Sequence, residues 1–179
     1  DFWKITTTED LFQQLEENMG TLSTIKGSKY YKSFQAAIDG WESRLNLVSE
    51  VIELQLQVQR AWMYLESIFI GNETIKKSLP SESALFAQVN AAYREKTAEM
   101  AEDRIALRAC SAEGYLEDLT AMDEKLDGIQ KSLDRYLEQR RQDFPRFYFI
   151  SNADLLEILG QSNNPKNVAK HFKACFEGV

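Results

Sequence analysis

The segment LDGIQKSLDRYLEQRRQDFPRFYFISNADLLEIL, residues 126–159, decides the fold because it joins two helical patterns through an abrupt break. Before the break, apolar side chains recur at alternating steps of three and four residues, which places them on one helix face. They are Leu119, Met122, Leu126, Ile129, Leu133 and Tyr136. Pro145 ends this pattern, since its ring fixes φ and disfavours helical geometry at Phe144. The pattern predicts a long helix that reaches Asp143.

Residues 144–149, which we call the aromatic junction, fill the break. They contain Phe144, Pro145, Arg146, Phe147, Tyr148 and Phe149. Beyond them, Ser151 and Asp154 have the spacing of a helix N-cap. The apolar face of the capped helix is supplied by Leu155, Leu156, Ile158 and Leu159. We therefore expect a long helix joined tightly to a short one.

A first helix is predicted over residues 8–19, with Gly20 at its end. Two capping boxes are available for it: Thr6 with Glu9, or Thr7 with Asp10. Gly27 and Ser28 then indicate a short connection to the next helix.

The second predicted helix is very long and passes Gly40 without ending there. Its helical spacing is carried by Tyr30, Tyr31, Phe34, Ile38, Trp41, Leu45, Val48, Ile52, Trp62, Leu65 and Phe69. Residues 54–59 alternate with period two and in isolation favour a strand. Long helical flanks without Gly or Pro favour helix here, and Gly71-Asn72 ends it.

Residues 75–79 form a single predicted turn before Pro80, and a third long helix follows with Ser81 or Ser83 as its cap. Its inner face is predicted to contain Leu85, Val89, Ala92 and Lys96. Residues 110–114 form the next connection. After the helix that ends near Gln161, we expect a turn at 163–165 and a last helix lined by Val168, Phe172 and Phe176.

Composition bounds the classes of protein. With 179 residues and 44% hydrophobic residues the chain can bury a core, and a formal charge of −7 argues against a nucleic-acid-binding surface. Two cysteines, Cys110 and Cys175, do not make a disulfide framework and indicate a reducing compartment. No apolar run has the length of a membrane span. The absence of an initial Met suggests a fragment of a larger protein.

Candidate chemistry is sparse. No two glycines lie closer than seven residues, so the segment holds no phosphate-binding loop. His171 and Cys175 have the spacing of half a zinc site, but the other half is missing. We therefore expect no catalytic, cofactor or metal site, with Cys175 in the interior and His171 on the surface. The pair Arg140-Arg141 is interpreted as a solvated helix end.

Two groups of motifs resemble the linker of dynein heavy chains. The downstream motifs, in order from Ile129 to Pro165, read IQKSL, YLE, FPRFYF, SN, DLLEIL and NP. The upstream motif VQRAWMYLE, residues 58–66, precedes Ile68-Phe69, Leu79-Pro80 and Phe86. Several motifs in a fixed order make a specific match, which spans roughly Trp41 to Val179.

The helical patterns, with no strands of the kind a sandwich or α/β fold needs, predict an all-α, elongated stack of long antiparallel helices over residues 1–179. Within this single elongated unit, residues 1–110 and 111–179 are a possible pair of sub-units. What the resemblance implies is a mechanical linker that lies across a ring of AAA+ modules and bends and straightens as ATP is bound and hydrolysed. ATP and Mg²⁺ would bind in AAA+ modules of the parent chain, leaving this segment without a cofactor.

The resemblance also implies partners and a location. The partners are the AAA+ ring of the same heavy chain, dynein intermediate and light chains, and indirectly microtubules, with neither nucleic acid nor membrane. Residues 149–152 and 171–178 are more similar to axonemal than to cytoplasmic heavy chains. We therefore expect the cytoskeleton of a cilium or flagellum, with the cytoplasmic type left open.

Candidate hinge or ring-contact residues are the six of the aromatic junction together with Asn152, Trp62 and Tyr64. The junction aromatics either cement neighbouring helices or, with Arg146, face a partner surface. Further pivots are expected at Gly71-Asn72 and at residues 110–114. The alternative function is a passive spectrin-like spacer or adaptor, while an independent enzyme lacks any site.

Overall fold

The computed structural model describes residues 2–103, 105–160, 169, 171, 175 and 176. Over these residues the chain is all-α, without a strand, as predicted. The helices are α1 (Glu9–Lys26), α2 (Tyr31–Phe69), α3 (Glu73–Ser78), α4 (Pro80–Glu102), α5 (Ala106–Cys110), α6 (Tyr115–Asp143) and α7 (Asn152–Gly160), with a 3-10 helix at Pro145–Phe149. None of the described helices combines the length and apolar character needed to cross a bilayer.

The chain forms two compact units, each built from two chain segments. Unit 1 contains residues 1–60 and 91–123, and unit 2 contains residues 61–90 and 124–179. This grouping is by spatial proximity, whereas the sub-units 1–110 and 111–179 divide the chain in sequence order. That sequential division stays a prediction, as does the single elongated unit.

The first helix differs from its prediction at both ends. α1 begins at Glu9, so Thr8 occupies the N-cap position that the two predicted capping boxes gave to Thr6 or Thr7. The Thr8 side chain makes no capping hydrogen bond. α1 also continues through Gly20 to Lys26. Gly20 carries no tertiary contact that a side chain would disturb, and a single helical glycine costs only about 1 kcal/mol, which flanking helix formers offset.

The long helices confirm most of the pattern reasoning. α2 passes through Gly40 and through residues 54–59 and ends before Gly71, as predicted. α6 ends at Asp143, also as predicted. The predicted last residue of the α6 stripe is wrong. The last buried position is Leu137, while Tyr136 is half-buried, with its hydroxyl group 3.3 Å from that of Ser78.

Two predicted apolar faces are also wrong. At the start of α2, Ile38 is buried but Tyr30, Phe34 and Trp41 are exposed. In α4, only Val89 of the predicted face is buried, and the buried residues are Phe86, Val89, Tyr93 and Thr97. Pro80, rather than a serine cap, begins α4, because its fixed φ suits the first helical position.

A buried polar layer crosses the core of unit 1. The Gln59 side chain accepts a hydrogen bond from the Ile5 backbone N–H and donates one to the Ile5 carbonyl, both at 2.8 Å. The Tyr115 hydroxyl donates to Gln55 Oε1 at 3.1 Å. Burial raises the pKa of Tyr93, in the same layer, to about 12.

In unit 2, α3 packs on α7. Asn72 is the N-cap of α3, and its Oδ1 accepts hydrogen bonds from the N–H groups of Thr74 and Ile75, both at 3.1 Å. The same side chain lies against Gly160 of α7, where a Cβ atom would come within 2.9 Å of the Asn72 Cγ. The predicted break at Gly71-Asn72 is therefore a capped and closely packed junction.

Some predictions fall outside the described residues. These are the turn at 163–165 and the positions of Val168 and Phe172 in a last helix. The helix predicted to end near Gln161 is described as far as Gly160.

Candidate functional site: the aromatic junction

The backbone of the aromatic junction follows from its proline. Phe144 is extended, with φ −137° and ψ 92°, which is the conformation that a following proline favours. Pro145 then begins a 3-10 helix, in which the Phe147 N–H donates to the Phe144 carbonyl at 2.9 Å. The chain leaves α6 and enters α7 within a few residues.

Arg141, in the last turn of α6, makes two hydrogen bonds to the residues that follow Pro145. Its Nε donates to the Phe147 carbonyl at 3.3 Å and its Nη2 donates to the Ile150 carbonyl at 3.2 Å. Cationic side chains at helix C-termini commonly satisfy nearby carbonyls in this way. Since Ile150 is itself buried, the two bonds fix the start of α7 relative to the end of α6.

The four aromatic side chains divide into two groups. Phe144 and Phe147 pack edge to face, with ring centroids 4.8 Å apart and planes at 67°. Tyr148 and Phe149 are 54% and 72% exposed. One pair therefore packs ring against ring, although Phe144 remains 40% exposed, and the other pair faces outward.

Arg146 is engaged within the chain. Its Nη1 donates to the Cys175 carbonyl at 3.1 Å, and its guanidinium lies 4.9 Å from the centre of the Phe176 ring. Tyr148 is anchored as well, because its hydroxyl donates to Glu138 Oε1 at 2.6 Å. This hydrogen bond to a carboxylate raises the pKa of Tyr148. Phe149 is therefore the aromatic side chain that the junction presents most openly.

The two candidate residues of α2 have different surroundings. Trp62 is fully buried, and its Nε1 donates to Asn90 Oδ1 at 3.0 Å, which makes it a core residue. Tyr64 is partly exposed and lines a surface cavity of about 420 Å³. The cavity wall also contains Ala153, so Tyr64 lies close to the start of α7, where Asn152 is exposed.

A family model described as "Dynein heavy chain, N-terminal region 2" matches residues 2–179. The chain belongs to the dynein heavy chain family. It is 52% identical over 177 residues to the dynein-1-beta heavy chain of the flagellar inner arm I1 complex of Chlamydomonas reinhardtii, and 54% identical over 172 residues to dynein axonemal heavy chain 2 of Mus musculus. It is 39% identical over 171 residues to a cytoplasmic dynein heavy chain of Neurospora crassa.

These three relatives are matched over 99%, 96% and 96% of this chain. In each case the chain spans only 4% of the relative's own length. The resemblance to dynein heavy chains is thereby confirmed for this segment of a heavy chain.

Sequence reasoning missed the residues that hold the junction of this dynein segment together. Arg141 was interpreted as solvated, but its guanidinium reaches two carbonyls of the following turn. Glu138, which accepts the Tyr148 bond, received no role. A signal was present: an arginine in the last helical turn before a proline lies within reach of the carbonyls of the turn that the proline begins.

The prediction for His171 was wrong, and that for Cys175 is confirmed. His171 is 9% exposed, because it lies against α7, near Asp154 and Glu157. Cys175 is buried and, like Cys110, has a free thiol. Burial raises the pKa of Cys110 to about 11, which keeps this thiol protonated and unreactive at neutral pH.

Proposed function

We propose that this chain is a segment of the mechanical linker of an axonemal dynein heavy chain. In this proposal it moves relative to the AAA+ ring of its parent chain and couples ATP hydrolysis there to movement along microtubules. The observation that carries the proposal is the ordered set of linker motifs that runs through the aromatic junction, within a chain that matches the dynein family from residue 2 to 179. The flagellar and axonemal names of the relatives favour an axoneme as its location.

Helix length supports a mechanical role. At about 1.5 Å per residue, the 39 residues of α2 extend about 58 Å and the 29 residues of α6 about 44 Å. A helix with a continuous buried stripe resists bending because a bend exposes apolar surface. Helices of this kind are suited to transmitting displacement, and the proposal therefore places its pivots where helices end.

The proposed pivots lie at helix ends, and two of them have distinctive local structure. At the aromatic junction, Arg141 makes two charge-assisted hydrogen bonds, each worth about 1.5–3 kcal/mol. At the α5–α6 connection, Gly114 adopts φ +77°, a conformation that glycine tolerates best. Movement at the aromatic junction therefore requires Arg141 to release its carbonyls, while the helices stay intact.

Phe149 is the proposed contact with the ring or another partner surface. It is the most exposed aromatic side chain of the junction, at 72%, and its position is fixed by the Arg141 bonds on either side of it. A large exposed apolar side chain on a rigid turn is a suitable anchor for a protein contact. In the proposal, intermediate and light chains join through the parent complex, and ATP with Mg²⁺ binds only in the AAA+ modules.

The test uses a whole heavy chain that carries this segment. Phe149→Ala removes the exposed ring without disturbing the core, and Arg141→Met removes the two carbonyl bonds. We expect both variants to keep ATP turnover but to slow microtubule gliding severalfold. Phe34→Ala is the matched control, since Phe34 is 64% exposed on α2 in unit 1, and it should glide at the normal velocity.

Unchanged coupling of ATP turnover to gliding in both variants would contradict the proposal and favour a passive spacer. Slowing by Phe34→Ala to the same extent would contradict the specific role of the aromatic junction. Circular dichroism of the isolated segment checks that each variant retains its helices.

A further inference from the structure

A second polar cluster lies in unit 2, where His171 packs against α7. Asp154 and Glu157 project from α7 one helical turn apart. The His171 Nδ1 is 3.4 Å from Asp154 Oδ1, and its Nε2 is 3.3 Å from Glu157 Oε2. One ligand atom from each residue lies within 4.8 Å of the other two. The three side chains therefore form one cluster of potential metal ligands.

Both nitrogens of the His171 ring face carboxylate oxygens. Nε2 is buried and makes no hydrogen bond, although the Glu157 carboxylate is its neighbour. An imidazole nitrogen can direct its lone pair at a metal ion, so an ion between the ring and the carboxylates would give this buried atom a partner.

The distances suit a metal ion. Tetrahedral Zn²⁺ with bonds of about 2.0–2.1 Å to nitrogen and oxygen places its ligand atoms about 3.4 Å apart. The separation of Nδ1 from Asp154 Oδ1, 3.4 Å, and that of Nε2 from Glu157 Oε2, 3.3 Å, each match this edge length, but only one of them can be an edge of the same site because they involve different ring nitrogens. Because an ion binds only one ring nitrogen, one carboxylate must move by about an ångström to complete the site.

The carboxylates are also held and accessible as ligands require. The Ser151 hydroxyl donates to Asp154 Oδ2 at 2.6 Å, which leaves Oδ1 facing the His171 ring. Such second hydrogen bonds orient the ligands of protein metal sites. Asp154 and Glu157 are only half-buried, so an ion can enter from solvent and retain water in its remaining position.

We propose that Asp154, Glu157 and His171 bind a divalent transition-metal ion of the zinc type. One imidazole nitrogen with two carboxylates suits Zn²⁺ better than Ca²⁺ or Mg²⁺, which prefer oxygen alone. The ion has a structural role: it ties α7 to a histidine 14 positions beyond Glu157 (171 − 157). The earlier expectation of no metal counted only His171 and cysteines as ligands and left out the carboxylates of the preceding helix.

Isothermal titration of the purified chain with ZnCl₂ at neutral pH tests the site, with MgCl₂ as the comparison ion. We expect one Zn²⁺ per chain and a rise in melting temperature of about 5 °C or more at a hundredfold excess over Kd. Glu157→Gln should weaken Zn²⁺ binding at least tenfold. Glu117→Gln, which makes the same change at an exposed position of α6, should leave it unchanged.

Asp154→Asn and His171→Asn provide two further variants, so that misfolding of any one leaves the test intact. Absorption of Co²⁺ added in place of Zn²⁺ reports the coordination geometry. Zn²⁺ binding that is absent at about 1 mM, or that survives both Glu157→Gln and Asp154→Asn, would overturn the proposal. Stabilisation by acid without Zn²⁺ binding would assign the cluster to a proton and would also overturn it.

Discussion

Replacement of Gly160 by alanine tests a close contact in unit 2. A Cβ atom at this position would lie 2.9 Å from the Asn72 Cγ, nearer than Cβ atoms approach other heavy atoms, and 3.2 Å from its Oδ1, which is a tight contact. The Asn72 side chain cannot swing away freely, because its Oδ1 caps α3 through the N–H groups of Thr74 and Ile75. The substitution therefore forces either strain or loss of the cap.

The magnitude follows from these two costs. Loss of an asparagine N-cap costs about 1 kcal/mol, and overpacking costs about 1–3 kcal/mol. Alanine regains a few tenths of a kcal/mol in helix propensity, which is little at the last residue of α7. We expect Gly160→Ala to lower the free energy of unfolding by about 1–3 kcal/mol.

Gly128 provides the matched control. It is exposed in the interior of α6, and a Cβ atom there meets nothing within 4 Å. Gly128→Ala should raise the free energy of unfolding by about 0.5–1 kcal/mol, because alanine loses less backbone entropy on folding. The two glycine substitutions should therefore shift stability in opposite directions.

Urea unfolding followed by tryptophan fluorescence gives the measurement. With Trp3→Phe and Trp41→Phe as background, Trp62 reports on unit 2, which also contains Gly160. The midpoint should fall for Gly160→Ala without a change in slope. Adding Asn72→Ser, a shorter capping residue, should restore part of the loss. A Gly160→Ala chain as stable as the Gly128→Ala chain, or no rescue by Asn72→Ser, would refute the packing argument.

Two further predictions concern unit 1. The Gln55 Nε2 is buried without a hydrogen bond, and the Tyr115 hydroxyl donates to Gln55 Oε1. In urea unfolding, Gln55→Met alone should destabilise the chain because it leaves the Tyr115 hydroxyl without this acceptor, whereas Gln55→Met with Tyr115→Phe should be near neutral or stabilising. Equal stability of the single and double variants would contradict this prediction. Asp103 accepts two hydrogen bonds from Arg108, and these lower the pKa of the Asp103 carboxyl group. A carboxyl group with a lowered pKa stabilises the fold at pH values above its unfolded pKa. The contact with Arg108 should therefore be lost on acidification below about pH 4. The Ile105 amide, which donates to Asp103, should shift in NMR over that range, and Asp103→Asn should abolish the shift.

The sequence by itself determined α2, α6 and α7, because the signals for these helices are local. The apolar stripe of α6 predicted that helix to its last residue, Asp143, and Pro145 required the break. Ser151 was predicted to cap α7 with Asp154, and its hydroxyl accepts a hydrogen bond from the Asp154 N–H at 3.1 Å. Each inference needed only residues within a few positions of one another.

Tertiary structure decided which face of each helix is buried and which polar groups meet. The exposed aromatic residues Phe34 and Trp41 lie on helical spacings that also fit a core, and Gln55 is buried although its side chain is polar. Spacing gives the angle between side chains on a helix but not the direction of the neighbouring element. The convergence of His171 on α7 depends on chain segments separated in sequence, so no local pattern could predict it.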